Sequence, residues 1–504
     1  MQRLTLTGRV TPEDRARQPV LGLPFEVPAG TSAIHVAYQH EGGSLLDLGL
    51  GDPRLGPFPS ERGFRGWSGG ARREVFVATD DATPGYLPGP LPAGTWQVLL
   101  GLARVAQGGC AYRVEVTLHD PSDARVADAR AVDTQAADAR DATGATPDAT
   151  PSAPRPSGPA WYAGDLQAHT HHSDAAGSLD ELAAAARARI LDFVAVTDHN
   201  TVSHHRAIAA YDAAREGAPL LIPGEEVTTY RGHANVWGAR DWVDFRTMNE
   251  HGVARAAERA RELGGLFSVN HPKPHNDCLG CEWEYDVPDA AEAFEAWQGP
   301  WPQRNWASLA RYDAELAAGR RLTLVGGSDR HQPAGPDPDP PALQVGSPTT
   351  FVWAEACTTE AILAGIRRGR VFVGEGPEGP SVILRGPTAD MGQVEETAPP
   401  VRLHADVRAA EGATLRWVGP DGPLRSVDID DADFEDACTL NDPPRFVRLE
   451  VVARDPDAAT RAMADTLALD PARTEALHGE MRGRPWVRAL SNPLYFPGRE
   501  GATP

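Results

Sequence analysis

One local unit recurs between Trp161 and Glu375. A short apolar, β-prone run comes first, then a few polar residues, then an amphipathic helical stretch. The runs are Trp161 to Ala168, Asp192 to Thr197, Leu220 to Pro223, Leu266 to Val269 and Leu322 to Gly327. Residues 178–190, 202–216, 248–263 and 306–318 read as the intervening helices, the first opened by a Ser178/Glu181 capping box. Continuous apolar runs of this length fit buried parallel strands. Strand-then-helix repetition predicts an α/β fold of the (β/α) barrel kind, in which chemistry gathers at the C-terminal ends of the strands.

Those ends are where the histidines lie. Of 16 histidines, eleven fall between His169 and His331, several beside carboxylates. In order they are His169 and His171 with Asp174, Asp198-His199, Glu226, His233, Asn270-His271-Pro272, and Asp329 with His331. Neutral imidazole and carboxylate are the ligands of Zn, Mn and Fe. Nine candidate ligands (His169, His171, Asp174, His199, Glu226, His233, His271, Asp329, His331) exceed the three or four that one metal takes. The excess predicts two or three metals in one pocket. His172, His204, His205, His251 and His275 are not needed as ligands. Asp198 is expected to serve catalysis from behind the ligands, orienting His199 or a neighbour through a hydrogen bond.

The order H-x-H, D-H-N, G-x-E, G-H, N-H-P and D-x-H resembles the polymerase-and-histidinol-phosphatase (PHP) superfamily. The resemblance spans roughly Trp161 to Glu375. It implies a distorted seven-stranded, TIM-like (β/α) barrel with a two- or three-metal hydrolytic site, and it places the ligand pattern on the nine residues above. It also implies that Glu226, not Glu225, bridges two metals. Under the same resemblance, His169, His171 and Asp329 hold one metal and Glu226 bridges to a second held partly by His271. Asp174, His199, His233 and His331 complete the set. The stretches 270–274, 294–301 and 489–495 are similar to a carbaryl-hydrolase-like branch of that superfamily.

Composition narrows the partners. A chain of 504 residues is too long for one core. Its formal charge of −22 disfavours nucleic acid and anionic membranes, which need basic surface. No apolar run is long enough to span a bilayer, and Met1 onward reads into a strand without a signal-peptide core. A soluble cytoplasmic protein is expected, its oligomeric state open. Cys278 and Cys281 read as two loop thiols rather than a disulfide clip or a zinc site, since no second pair is visible.

Four segments are expected. Residues 1–118 show short alternating runs punctuated by Gly and Pro, the pattern of a β-sandwich. Residues 119–160, with Ala-Asp-Ala-Arg repeats and then Thr, Pro, Ser and Gly, read as a flexible linker. Residues 161–375 form the barrel. Residues 376–504 suggest a second β-sandwich with a helical insert over 455–478.

The expectation is a metal-dependent hydrolase, foremost a phosphoesterase in which two or three Mn, Zn or Fe ions generate hydroxide at neutral pH. Arg330 and Arg304 are expected to orient a small anionic ester substrate, because a guanidinium matches two phosphate oxygens. Lys273 is the single lysine among 48 basic residues. Its place two residues after His271 suggests an ammonium that neutralises a substrate oxygen or protonates the leaving group. Two alternatives stand beside this one. One is a carboxylic or carbamic ester hydrolase, with Trp283, Tyr285, Trp297 and Trp301 receiving an aryl group at the mouth. The other is a non-catalytic, metal-stabilised binding protein.

Overall fold

The computed structural model describes residues 1–120, 158–212, 217–275, 278, 280–332 and 339–497. Most of the expected linker, 121–157, lies outside them. The whole is a mixed α/β chain with several sheets.

The N-terminal unit consists of two four-stranded antiparallel sheets. Gln2–Val10, Cys110–His119, Ala33–His40 and Glu74–Ala78 make one, and Val20–Val27, Gly94–Arg104, Leu45–Gly51 and Phe64–Gly69 the other. Alternate side chains of both sheets, among them Val36, Val116, Leu48, Trp96 and Val98, close one apolar core. A second apolar seam joins this unit to the central one. Phe64 stacks on Trp242 at 4.3 Å between ring centroids, and Trp67 meets Phe245 edge-on at 4.8 Å.

In the central unit seven strands lie side by side in chain order: Ala160–Ala168, Phe193–Val196, Leu220–Thr229, Gly232–Trp237, Leu266–Val269, Ala293–Gln298 and Thr323–Gly327. They are not all parallel, as the sequence pattern suggested. Gly232–Trp237 runs antiparallel to both neighbours. Only Tyr230 and Arg231 separate it from the preceding strand, and two residues can close a hairpin but not a parallel crossover. The remaining pairs are parallel.

After the seventh strand the backbone returns to the end of the first. Asp329 N–H donates to the Gln167 carbonyl and His169 N–H to the Arg330 carbonyl, both at 2.9 Å. Buried Asp165 accepts the N–H groups of Ser328 and Gly346 at 3.0 and 2.7 Å. Strand ends that are far apart in sequence therefore share one neighbourhood. The helices Leu179–Ala188, His205–Asp212, Glu250–Glu262 and Asn305–Ala317 lie within or one residue outside the predicted windows. The Ser178/Glu181 capping box is formed.

On its other edge Ala160–Ala168 pairs antiparallel with Thr349–Ala354. The sheet then runs on through Val371–Gly374, Val487–Ser491, Phe446–Ala453 and Ala413–Gly419, so hydrogen bonding is continuous across 375/376. A three-stranded sheet, Ser381–Arg385, Val401–Arg408 and Asp433–Leu440, packs against these strands. Residues 455–478 contain not one helix but two, Pro456–Thr466 and the start of Pro471–Met481. Among the described residues no helix is long and apolar enough to cross a membrane.

Candidate metal centre

The Glu226 carboxylate is fully buried and surrounded by imidazoles. Its Oε2 lies 3.0 Å from His199 Nδ1 and 3.3 Å from His169 Nε2. Its Oε1 lies 3.2 Å from both His233 Nδ1 and His271 Nε2. His169 Nε2 also approaches Asp329 Oδ1 at 2.9 Å. His169 stacks on both His199 and His331, with centroids 4.4 and 4.1 Å away, and those two rings are 5.6 Å apart. Asp174 Oδ1 reaches His331 Nε2 at 3.4 Å and His199 Nε2 at 3.7 Å.

Three groups of ligand atoms each fit within 4.8 Å: His169, Asp174, His199 and His331; His199, Glu226 and His233; and His169, Glu226 and Asp329. His169, His199 and Glu226 each belong to two groups. His271 joins through Glu226. His171 is outside these groups; its ring stacks on His172 at 5.1 Å, and its backbone N–H donates to the Gly177 carbonyl.

The donor set fits cations. His271 Nδ1 faces the Cys281 carbonyl at 3.2 Å and His331 Nδ1 the Asp329 carbonyl at 2.9 Å. A carbonyl only accepts, so each Nδ1 carries a proton, and Nε2 is the nitrogen each ring can offer to a cation once it is deprotonated. A histidine held in this way by a backbone carbonyl is the usual support for a metal ligand. Once deprotonated, His271 Nε2 turns a lone pair toward a carboxylate oxygen, an arrangement that needs a positive charge between them. Among the described residues, Glu226 Oε2 and His169 Nδ1 are buried without a hydrogen-bond partner. Burial opposes charge on His199 and His331, but Glu226, Asp174 and Asp329 outweigh it and push the rings up to about 10 and about 9. The cluster holds more negative charge than neutral imidazoles can offset.

Two ligands sit on strained backbone. His271 and Asp329 have φ of +26° and +54°, in the left-handed region that residues with side chains rarely occupy. Neighbours hold them there. Glu295 accepts the His271 N–H at 2.7 Å, and Gln298 Nε2 donates to Asp329 Oδ2 at 2.9 Å. Gln167 Nε2 donates to both Glu226 Oε1 and Asp329 Oδ1 at 3.2 Å. These three residues carry no ligand signature in sequence. Only their places on or beside strand ends could have marked them.

Asp198 lies behind the ligands. Its carboxylate accepts Thr170 N–H, Thr170 Oγ1 and Ser173 Oγ at 2.7–2.8 Å and meets His204 Nδ1 at 3.2 Å. It therefore fixes the 169–174 loop and not the His199 ring. His172 pairs with Ser203, His204 with the Val196 and Gly224 carbonyls, and His205 with the Gly224 carbonyl. His275 Nε2 is 3.3 Å from the His271 carbonyl.

Other expectations change. Lys273 is buried, donating to the Gln298 carbonyl at 3.1 Å and Asn305 Oδ1 at 2.9 Å; burial pushes its ammonium down to about 7. Arg330 donates to the Gln332 and Leu343 carbonyls and pairs with Asp339, and Arg304 pairs with Glu480. Cys278 and Cys281 form a disulfide, not free thiols, with Cα atoms 5.6 Å apart. Three residues suffice to bring two cysteines of one loop to bridging distance. Trp283, Tyr285, Trp297 and Trp301 form no aromatic mouth. All four are at most 2 % exposed and belong to the core.

A cavity of about 480 Å³ opens onto Asp174, His199 and His233. Its opposite wall comes from the N-terminal unit, including Asp47, Trp67 and Ala103. Arg72 of that unit donates to the His171 and Ser173 carbonyls at 2.6 and 3.0 Å. Tyr230 donates to Asp47 Oδ2 at 2.6 Å.

No protein-family model and no curated protein matches the chain. Among solved structures it is similar to a two-domain protein from Bacteroides vulgatus containing a predicted PHP-like metal-dependent phosphoesterase. Identity is 18 %, coverage 61 % of this chain and 95 % of that one, and the TM-score 0.37. A candidate metal-dependent phosphoesterase from Bifidobacterium adolescentis is 17 % identical over 34 % of this chain and 89 % of that one, with a TM-score of 0.25. At scores this low the functional assignment rests on the side chains alone.

Proposed function

We propose that the chain is a metal-dependent phosphoesterase of the PHP type, its seven central strands forming a distorted barrel around the Glu226 cluster. The observation that carries this reading is Glu226 itself, a buried carboxylate with four imidazole nitrogens within 3.3 Å. His169, Glu226 and Asp329 would hold one cation, His199, Glu226 and His233 a second, and Asp174 with His331 would support a third; His271 would complete the Glu226 side. When bound, two or three divalent cations such as Mn, Zn or Fe lower the pKa of water and offset charge on substrate oxygens.

The chain's own residues do the rest. Gln167 and Gln298 aim Glu226 and Asp329, Glu295 sets the backbone of His271, and Asp198 fixes the loop that bears His169 and Asp174. The cavity beside Asp174, His199 and His233 admits a small anionic ester. Carboxylic or carbamic ester hydrolysis is the weaker reading, since the four aromatic residues expected to receive an aryl group are core residues.

Elemental analysis followed by a paired screen tests the assignment. The purified chain should hold two or more metals and turn over 4-nitrophenyl phosphate or a phosphodiester in preference to 4-nitrophenyl acetate or a carbamate. Less than one metal per chain, or carboxylic ester turnover alone, refutes it.

A further inference from the structure

The cavity is a composite of two units, and its far wall carries a carboxylate with no assigned task. Asp47 lies in the strand Leu45–Gly51 of the N-terminal unit. Among the described residues its one side-chain hydrogen bond is accepted from the neutral Tyr230 hydroxyl at 2.6 Å, and no basic side chain forms an ion pair with it. A carboxylate placed in a largely apolar cavity with one neutral donor retains strong capacity to accept, and a cation is the partner that best offsets its lost hydration.

The surroundings suit a particular kind of cation. Leu46, Trp67 and Ala103 line the cavity with Asp47, and the aromatic Tyr230 adjoins them. Aromatic and aliphatic surface beside a carboxylate matches a compact alkylammonium group, which couples charge to apolar bulk. Two basic residues of the same unit line this cavity, His40 and Arg73. His40 Nδ1 lies 2.8 Å from the Glu41 carbonyl, and Arg73 lies over the Tyr38 ring, 4.8 Å from its centroid, where a neighbouring hollow begins. The charge of Arg73 acts on Asp47 from a distance, but neither residue forms an ion pair with it. The opposite wall holds Asp174, His199 and His233. One molecule can therefore place a phosphoryl group at the ligand cluster and a cationic arm at Asp47.

We propose that the N-terminal β-unit is the substrate-selecting half of the site, with Asp47 receiving an alkylammonium arm carried by the phosphoester. This rests on the phosphoester reading above and adds the substrate class.

The experiment is a calorimetric titration of the full chain, loaded with manganese at pH 8, with two ligands of one shape. These are phosphocholine and 3,3-dimethylbutyl phosphate, whose arm is the uncharged isostere of choline. Phosphocholine should bind about tenfold more tightly or better. In Asp47→Asn the preference should fall to within about twofold, with melting temperature and metal content showing the chain folded and loaded. Tyr230→Phe keeps the carboxylate and should keep the preference. Equal binding to the unaltered chain, or a preference that survives in Asp47→Asn, overturns the proposal. Binding of neither phosphate refutes the phosphoester reading and this proposal together.

Discussion

Glu225 and Glu226 are consecutive residues of one strand whose carboxyl groups lie on opposite faces and are shifted in opposite directions. Glu226 faces the imidazoles, whose charge and hydrogen bonds hold it well below the usual carboxylate range despite burial. Glu225 faces the other way, accepting among the described residues only the Val243 N–H at 2.8 Å, and burial pushes it up to about 8. Strand geometry alone produces the difference, because successive side chains alternate faces. Glu226→Gln should abolish metal-dependent turnover and remove at least one metal, since an amide cannot bridge two cations as a carboxylate does. Glu225→Gln copies the protonated state already present and should retain metal and most activity. Atomic absorption alongside a turnover assay checks both, and an inactive, metal-poor Glu225→Gln would reverse the register.

Arg72 ties the N-terminal unit to the loop that carries His169 and Asp174. Charge-assisted hydrogen bonds of this kind contribute about 1.5–3 kcal/mol each. Arg72→Ala should loosen the loop and weaken the metal site to which Asp174 contributes by about tenfold or more, leaving the Glu226–His233 group less affected. Stepwise metal titration separates the two. Uniform weakening at every site would mean that Arg72 only stabilises the fold.

The strand ends were legible because their chemistry is written locally. A buried strand reads as an apolar run, and a His, Asp or Glu follows within three residues. The Thr229-to-Gly232 hairpin was legible in principle, since two intervening residues forbid a parallel crossover, but Gly232–Trp237 is not among the apolar runs that the strand-then-helix pattern picks out. Gln167 and Gln298 escaped because glutamine is common and mostly exposed, and only contact shows which ones aim a ligand. Asp47 and Arg72 escaped for a different reason. They lie 183 and 99–101 residues from their partners, and no local pattern encodes a meeting between two domains.

Asp47 also predicts a pH dependence. Burial raises its carboxyl to about 6 from 3.8, against the Tyr230 hydrogen bond, which lowers it. Between these values the folded chain binds more protons than the unfolded one, so this group's contribution to stability is lost as pH rises through 6. Asp47→Asn mimics the protonated form. Its melting temperature should match the unaltered chain near pH 4 and exceed it above pH 6.5, by at most about 3 kcal/mol in stability. Titrating groups that do not act on Asp47 are common to both proteins and cancel in the difference, whereas Asp174 and His199 act on its charge. A gap that does not change with pH would place Asp47 in a better-solvated setting.

Lys273 decides between two roles. Its Nζ is held by the Gln298 carbonyl and Asn305 Oδ1, and Gln298 in turn donates to Asp329. In this arrangement the ammonium acts through Gln298 on a ligand, a positioning role, and not as a proton donor to a leaving group. Lys273→Met removes the charge at similar volume and loses two charge-assisted hydrogen bonds, about 1.5–3 kcal/mol each, although the Gln298 carbonyl keeps the Asn305 side-chain N–H and Asn305 Oδ1 keeps the Gln298 N–H. Lys273→Arg overfills the same pocket, at about 1–3 kcal/mol. Both variants should lose metal affinity, by about tenfold, together with turnover. Their rates across a series of phenyl phosphates should fall by the same factor whatever the leaving group's basicity. A general acid behaves differently, since its loss hurts poor leaving groups most. Full metal loading combined with a steeper leaving-group dependence would return Lys273 to proton transfer.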